Sequence, residues 1–279
     1  MKSLSFAAIA AVCLFLFSGL AVAQKLKAEE IIAKHLAAVG SAEKRAVKNR
    51  VVIGTAEYEI EASGGMKISG QSVLAFEGDK SAFAMAFQNP KYPQDKMGYN
   101  GKKVTVGFTL PGERSALGRY IFSFGDPFSE GLFGGVLSPT WALYDLAARK
   151  AKVESEGTKK IDDRETYVLS YSPKGGSDLT IRIYIDQETF RHVRTEYRKI
   201  ISAQQGRTAD SSARQREARY FLTEDFSDFK KEDGLDLPHA IKITLLTDAM
   251  SGAQTAIWKL AFNQYFINQK LETATFVIE

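Results

Sequence analysis

Side chains able to do metal or nucleophilic chemistry are scarce in this sequence. Its 279 residues contain one cysteine, Cys13, and three histidines, His35, His192 and His239. No two histidines have the spacing of a metal site, and no motif of a serine hydrolase, zinc protease or nucleotide-binding loop is present. We expect His35 at the margin of a helix's apolar stripe, His192 on the polar face of a strand and His239 at a turn.

Paired carboxylates offer a second kind of chemistry, because two of them across a cleft can hydrolyse a glycosidic bond. The acidic dipeptides at 162–163 and 232–233 lie in turn-like sequence, where aspartate serves the turn. Asp126, which precedes Pro127, also suits a turn. A hydrolase that uses dispersed carboxylates, Asp126 among them, is kept as a third hypothesis. We predict a protein that is not an enzyme and that needs no metal and no cofactor.

The composition is that of an ordinary globular domain, with 44% hydrophobic and 25% charged residues. The 37 Lys and Arg against 33 Asp and Glu give a net charge of +4, too small an excess to indicate nucleic-acid binding. No repeat or linker divides the chain. We therefore predict a single domain over residues 24–279 with a large buried core.

The first 23 residues have the pattern of a secretory signal peptide. Lys2 precedes an apolar run over residues 4–20, and the small residues of Ala21-Val22-Ala23 follow. We predict cleavage after Ala23, so that Cys13 leaves with the signal and the mature, periplasmic protein contains no cysteine. We do not expect Cys13 to be lipidated, because lipidation requires a small residue before the cysteine and Val12 stands there. The alternative is an uncleaved anchor, because about twenty apolar residues can span a bilayer.

The remaining chain begins with one amphipathic helix at 28–39 and continues mostly as strands. Apolar residues recur at helical spacing up to Val39, and Gly40 then suits a left-handed cap. From there the apolar residues alternate, and turns such as Ser63-Gly64-Gly65 separate the runs. This order predicts an antiparallel meander rather than alternating strands and helices. The predicted strands cover residues 50–60, 66–77, 80–88, 103–110, 151–156, 165–171, 179–185, 191–201, 218–224, 240–247, 255–266 and 273–278.

The third predicted strand is apolar on both faces, so each face needs a cover. Its large side chains would line an interior, and a helix could lie on its alanine face. The large residues are Phe83, Met85 and Phe87, and the small ones are Ala82, Ala84 and Ala86. In the strand at 191–201, Val193 and Tyr197 are predicted on the apolar face, opposite His192.

The middle of the chain interrupts the meander with an aromatic, glycine-rich segment at 120–137. A segment this apolar must pack on the sheet, cover a cavity or contact a partner. A helix is predicted over 140–150, with Ser138 as its N-cap and Pro139 as its first residue. The polar connection at 202–217 carries three arginines; it is either a solvated hairpin tip or a contact for an acidic partner or lipid headgroups.

Four segments of the second half resemble the lipoprotein-carrier family of the Gram-negative envelope, which includes LolA, LolB and related outer-membrane lipoprotein-sorting proteins. They are GTKKIDDRETYVL (157–169), YIDQETFRHVR (184–194), GLDLP (234–238) and WKLAFNQYFINQKLETATF (258–276). The resemblance implies an incomplete, curved antiparallel β-barrel closed by a helical lid, with an apolar cavity for acyl chains.

Our first hypothesis is a periplasmic, non-enzymatic carrier of a lipidated protein or another apolar ligand. The alternative is an envelope interaction module that docks on a membrane or a protein through an exposed segment 120–137. The predicted ligand-lining residues are Phe83, Met85, Phe87, Phe122, Phe124, Phe128, Leu132, Phe133 and Trp141.

Overall fold

The computed structural model describes residues 26–61, 65–203, 217–249 and 252–278. The predicted signal peptide at 1–23, with Cys13 and the cleavage point after Ala23, lies outside the described residues. So do the predicted turn at Ser63-Gly64 and most of the polar connection at 202–217. In the described part of the chain, no helix is long and apolar enough to cross a bilayer.

Twelve strands, β1 to β12 in chain order, form one antiparallel sheet. The meanders β1–β5 and β6–β12 meet where β1 pairs with β12, and β5 and β6 form the two unpaired edges. The predicted fold class is thus confirmed, as a curved open sheet covered by helices. The strands are Asn49–Glu61 (β1), Lys67–Glu77 (β2), Lys80–Phe87 (β3), Gln94–Tyr99 (β4), Val104–Val106 (β5), Lys152–Ile161 (β6), Arg164–Ser172 (β7), Thr180–Asp186 (β8), His192–Ile201 (β9), Ala218–Glu232 (β10), Leu235–Ala249 (β11) and Gly252–Ile267 (β12).

The connection between the two edge strands crosses the inner face of the sheet. We call residues 107–151 the lid segment, since they join β5 to β6 and pack on most of the strands between. The lid segment contains the helices α3 (Ala116–Ser123), α4 (Asp126–Ser129) and α5 (Leu146–Arg149) and 3₁₀ turns at Gly135–Leu137 and Ala142–Tyr144. The other helical elements are α1 (Ala28–Val39), α2 (Ala42–Arg45) and a 3₁₀ turn at Thr273–Phe276.

Two contacts of the lid segment measure how strongly the sheet curls. Glu130 accepts a hydrogen bond from the Tyr171 hydroxyl on β7 at 2.8 Å, and the Phe133 ring lies 5.2 Å from the ring of Phe83 on β3. β3 and β7 are eight strand positions apart, which is about 38 Å across a flat sheet. Three residues of chain reach only about 10 Å. Both ends of the sheet must therefore converge on the lid segment.

The predicted helix α1 is confirmed, and its ends show why it forms. The Glu30 carboxylate accepts a hydrogen bond from the backbone N–H of Lys27 at 2.9 Å, one half of a capping box. Gly40 follows the last turn with φ of 144°, and a Cβ there would come within 2.7 Å of the Leu235 side chain. Ile31 and His35 are fully buried, because α1 packs against β11 and β6.

The predicted helix over 140–150 is wrong. Ser138 and Pro139 do not begin a helix; the short α5 starts instead at an Asp145 cap, whose side chain accepts from the N–H of Ala148 at 2.9 Å. Trp141 has an extended backbone with ψ of 142°, and its ring is completely buried. Burial of the large indole outweighs the helix propensity of the residues that follow.

Two strand predictions at the ends of the meanders are also wrong. In place of the strand predicted at 273–278, residues 273–276 form a 3₁₀ turn that buries Phe276, and the strand at 103–110 shrinks to the three residues of β5. The short β4 was not predicted. The outer face of β3, where the sequence suggests that a helix could lie, is partly covered by the 3₁₀ turn at Thr273–Phe276: the turn contacts β3, and Lys80 of that face lies 5.7 Å from the Phe276 ring.

Candidate functional site

Seven of the nine predicted ligand-lining residues belong to the core between the sheet and the lid segment. They are Phe83, Met85 and Phe87 on β3 and Phe128, Leu132, Phe133 and Trp141 in the lid segment. The Phe133 ring lies against Phe83 and stacks on Phe128 at 4.5 Å, so the protein's own rings occupy the space between β3 and the lid segment. Phe124 is half-buried, whereas Phe122 is 61% exposed on the outside of α3 and does not face this interior. That these residues contact a ligand stays a prediction.

The docking alternative requires residues 120–137 to be exposed, and most of their apolar side chains are buried. Tyr120, Ile121 and Val136 are at most 3% exposed, and Phe122 is the large apolar exception. The physical reason is the size of the rings: left in water, they would form a large apolar patch, which packing on the curled sheet removes.

A groove opens beside this interior, between α3 and the ends of β9 to β12. Its volume is about 390 Å³, and Arg119, Ser123, Thr247 and Gln254 supply its polar positions. The Phe124 ring stands between those of Tyr120 and Tyr220, 5.2 and 6.1 Å away. The apolar wall residues are Ala116, Tyr120, Phe124, Ile201, Tyr220 and Ala249.

A second cavity of about 390 Å³ lies on the other side of Phe124. It shares Ser123 and Phe124 with the groove, but Asp126 and Asp178 give it acidic walls. Phe124 is thus a predicted site residue that lines both cavities. Sequence reasoning missed Ile201, Tyr220 and Ala249, since they come from strand ends distant in sequence.

Two buried charged side chains hold the lid segment on the sheet. The Arg50 guanidinium on β1 donates to the carbonyls of Val136 and Leu137 at 3.2 and 2.8 Å. The Glu224 carboxylate on β10 accepts from the backbone N–H of Gly134 and from the Tyr197 hydroxyl, both at 2.8 Å. Burial lowers the pKa of Arg50 and raises the pKa of Glu224 to about 7.

A third buried charge lies near the start of α3. The Asp95 carboxylate on β4 accepts from the hydroxyls of Tyr92 and Ser115, and the Trp258 indole donates to the Tyr92 oxygen at 2.9 Å. Ser115 is also the N-cap of α3, because its hydroxyl accepts from the N–H of Gly118. Burial raises the pKa of Asp95 to about 6. The network fixes the helix that forms one wall of the groove.

His35 and His192 lie in the core on either side of Trp141, whereas the sequence places His35 at the margin of an apolar stripe and His192 on the polar face of a strand. Their rings are 4.9 and 4.7 Å from the indole and 6.5 Å from each other. The β8–β9 register shifts between Tyr184 and Ile185, so the alternation of β9 changes phase and turns His192 inward. Burial lowers the pKa of His35 to about 4 and lowers that of His192 as well.

The remaining candidates for chemistry stand apart from one another. His239 lies within β11, not at a turn; it is buried, and its Nε2 is 2.9 Å from the Glu232 carboxylate. Asp126 starts α4 and accepts a hydrogen bond from the Ser177 hydroxyl. Among the residues that the structure describes, no three His, Cys, Asp or Glu side chains are grouped as a metal site would require.

Comparison with known proteins finds similarity in structure only. No family model matches the chain, and no curated protein matches its sequence. A LolA superfamily protein from Nitrosomonas europaea is 10% identical, with 90% of this chain and 98% of that chain covered and a TM-score of 0.45. An outer membrane lipoprotein-sorting protein domain from Vibrio parahaemolyticus is 15% identical, with 88% and 94% covered and a TM-score of 0.43.

A DUF1329 family protein from Desulfovibrio piger is 11% identical, with 89% of this chain and 96% of that chain covered and a TM-score of 0.39. Two of these structures bear names from the family that the sequence resembles. These likenesses concern the fold.

Proposed function

We propose that this protein is a non-enzymatic carrier of the periplasm that binds an apolar or lipidated ligand in the groove beside α3. The observation that carries the proposal is the groove itself: about 390 Å³, open to solvent and walled by aromatic and aliphatic side chains. Its volume lies in the usual range for ligand sites, about 300–1,000 Å³. A lipidated outer-membrane protein is one such ligand, as the sequence resemblance implies.

The groove offers contacts both for an acyl chain and for the polar end of such a ligand. Tyr120, Phe124 and Tyr220 supply aromatic rings. The polar side chains are Arg119, Ser123, Thr247 and Gln254. Each methylene removed from water contributes about 0.8 kcal/mol, so a chain that buries six of them gains about 5 kcal/mol before the costs of ordering. A long ligand would extend beneath the lid segment to the buried rings of Phe83 and Phe133, and it would have to displace the lid's contacts to do so.

The test measures ligand binding by the purified wild type, whose groove is open, and by a variant in which a large side chain fills the groove. We would displace an environment-sensitive naphthalene dye with palmitate and record native mass spectra of the same samples. Ala249→Trp places an indole in the groove, and Ala86→Trp, at an exposed position on the outer face of β3, is the matched control. We expect Ala249→Trp to weaken dye and palmitate binding at least tenfold, while the control binds like the wild type.

Two outcomes would contradict the proposal. If the wild-type protein binds neither dye nor palmitate although its unfolding transition shows that it is folded, the carrier function is refuted. Equal binding by the wild type and the Ala249→Trp variant would place any apolar ligand elsewhere. Asp126→Asn distinguishes the carrier from the hydrolase hypothesis. If the wild type has a lipid-esterase activity that only the Asp126→Asn variant loses, the result favours an enzyme.

A further inference from the structure

The outside of α3, away from the groove, carries an exposed aromatic pair with an arginine between the rings. Phe122 is 61% exposed and Phe108 is 47% exposed. The Arg114 guanidinium carbon lies 4.1 and 4.3 Å from their ring centroids. Such cation–π contacts hold the rings at the surface although burial would be favourable. Phe108, Arg114 and Phe122 are called the Phe–Arg–Phe surface below.

The chain's positive charge is concentrated around this surface. Residues 91–124 carry six cations and two anions, a net charge of +4 that equals the net charge of all 279 residues. One of the anions, Asp95, is buried, which leaves Glu113 as the exposed one. None of the ion pairs among the described residues involves a cation of this stretch, although many cations elsewhere are paired. The cations are Lys91, Lys96, Lys102, Lys103, Arg114 and Arg119.

Because α3 packs along the edge of the sheet, the rings of Phe108 and Phe122 lie on the same side of the protein as these cations. Gly118 lies against Val106 and Gly125 against Val104, so the helix runs beside β5, the edge strand that Lys102 and Lys103 precede. Arg114 donates to the carbonyl of Val106 at 3.1 Å, which fixes it at the same edge. Lys102, Lys103 and Arg114 thus lie along one edge with two exposed rings, and the Asp79 carboxylate lies beside Gly101 at the Lys102 end.

We propose that this edge docks on the surface of an anionic lipid bilayer. Rings at the headgroup level and lysines beside them are the combination that binds such membranes, because the rings leave water while the cations meet lipid phosphates. An acidic protein would account for the positive charges but not for the exposure of Phe108 and Phe122, which a bilayer explains because both rings can enter the headgroup region. This inference does not rest on the carrier function, since the Phe–Arg–Phe surface lies outside the ligand groove.

The experiment is vesicle sedimentation with charge-matched variants. The protein is expressed from its full gene and its N-terminus is read by mass spectrometry, so that all variants are compared in the same form. Vesicles contain phosphatidylcholine with or without one third phosphatidylglycerol. Lys102→Gln/Lys103→Gln removes two cations at the edge, and Lys231→Gln/Lys242→Gln removes two exposed, unpaired cations elsewhere in the described chain. A second pair compares Phe108→Ser/Phe122→Ser with Phe266→Ser, a 40% exposed ring on β12.

We expect binding to the anionic vesicles that weakens at high salt, and little binding to phosphatidylcholine alone. Each edge lysine lost should weaken binding about fivefold, and loss of the two rings should weaken it at least tenfold, while both controls stay within twofold of the wild type. All substituted positions are exposed, so unchanged thermal unfolding is expected. Equal binding to both kinds of vesicle, equal losses in the control variants, or no binding by the wild type would each overturn the proposal.

Discussion

Replacement of Glu224 by glutamine should stabilise the protein at alkaline pH and change it little in acid. The carboxylate is completely buried and accepts two hydrogen bonds, from Gly134 in the lid segment and Tyr197 on β9, but no cation pairs with it among the described residues. Its pKa is about 7 in the folded protein against 4.5 when free. Glutamine can keep both contacts, since its oxygen accepts from Gly134 and its amide donates to the Tyr197 oxygen.

The direction of the effect follows from proton binding. Between pH 4.5 and 7 the folded protein holds a proton on Glu224 that the unfolded chain releases. The stability contributed by this group is therefore complete below pH 4.5 and is lost as the pH rises through 7. The full loss is about 3 kcal/mol, and roughly 2 kcal/mol of it falls between pH 5 and pH 8.5. Glutamine does not titrate, so the variant escapes this loss.

Urea unfolding at pH 5 and pH 8.5 measures the prediction. The free energy of unfolding of Glu224→Gln, relative to wild type, should be about 2 kcal/mol more favourable at pH 8.5 than at pH 5. Glu61→Gln, at an exposed carboxylate on β1, is the control and should show no such difference. If the Glu224→Gln difference were the same at both pH values, the buried carboxylate would not be the titrating group and the reasoning would be refuted.

Three further substitutions test the core around the lid segment. The His35 pKa of about 4 keeps this side chain neutral when folded, so titration of His35 in the unfolded chain should lower the free energy of unfolding by about 2–3 kcal/mol from pH 7 to pH 4.5. Urea unfolding at these two pH values should show a smaller loss for His35→Gln. Trp141→Ala should cost about 3–5 kcal/mol in urea unfolding, and a smaller loss would mean that the core refills the space. Gly54→Ala should lower the thermal midpoint markedly, because its Cβ would lie 2.0 Å from the carbonyl oxygen of Ala261, whereas Gly175→Ala should not.

Where the sequence predicts the fold correctly, local pattern and final burial agree. The helix at Ala28–Val39 has its cap and its apolar stripe within twelve residues, and in β8 Ile181, Ile183 and Ile185 share the buried face as their alternation predicts. His192 shows the limit of this reasoning. One irregular pairing step shifts the phase of β9, and nothing in the local sequence marks where a bulge will fall.

The site was predictable only in part, for a similar reason. Phe128 and Phe133 lie in one aromatic segment, so their common burial follows from local composition. The groove is assembled from α3 and the ends of four strands, and residues such as Tyr220 and Ala249 reach it only when the whole sheet has formed. Their contribution depends on tertiary pairing, which no short window of sequence contains.

The pairing of β1 with β12 has a consequence for how the chain reaches this structure. Arg50 pairs with Ile267, so the central junction of the sheet closes a loop of more than 200 residues. The hairpins within each meander pair strands that are adjacent in sequence. The β1–β12 junction can form only after almost the entire chain is present, and its loop closure has the largest entropic cost. Until then β1 and β12 both expose unpaired edges to solvent, each able to join the strand of another chain. Newly synthesised molecules are expected to need protection at this step more than at any other.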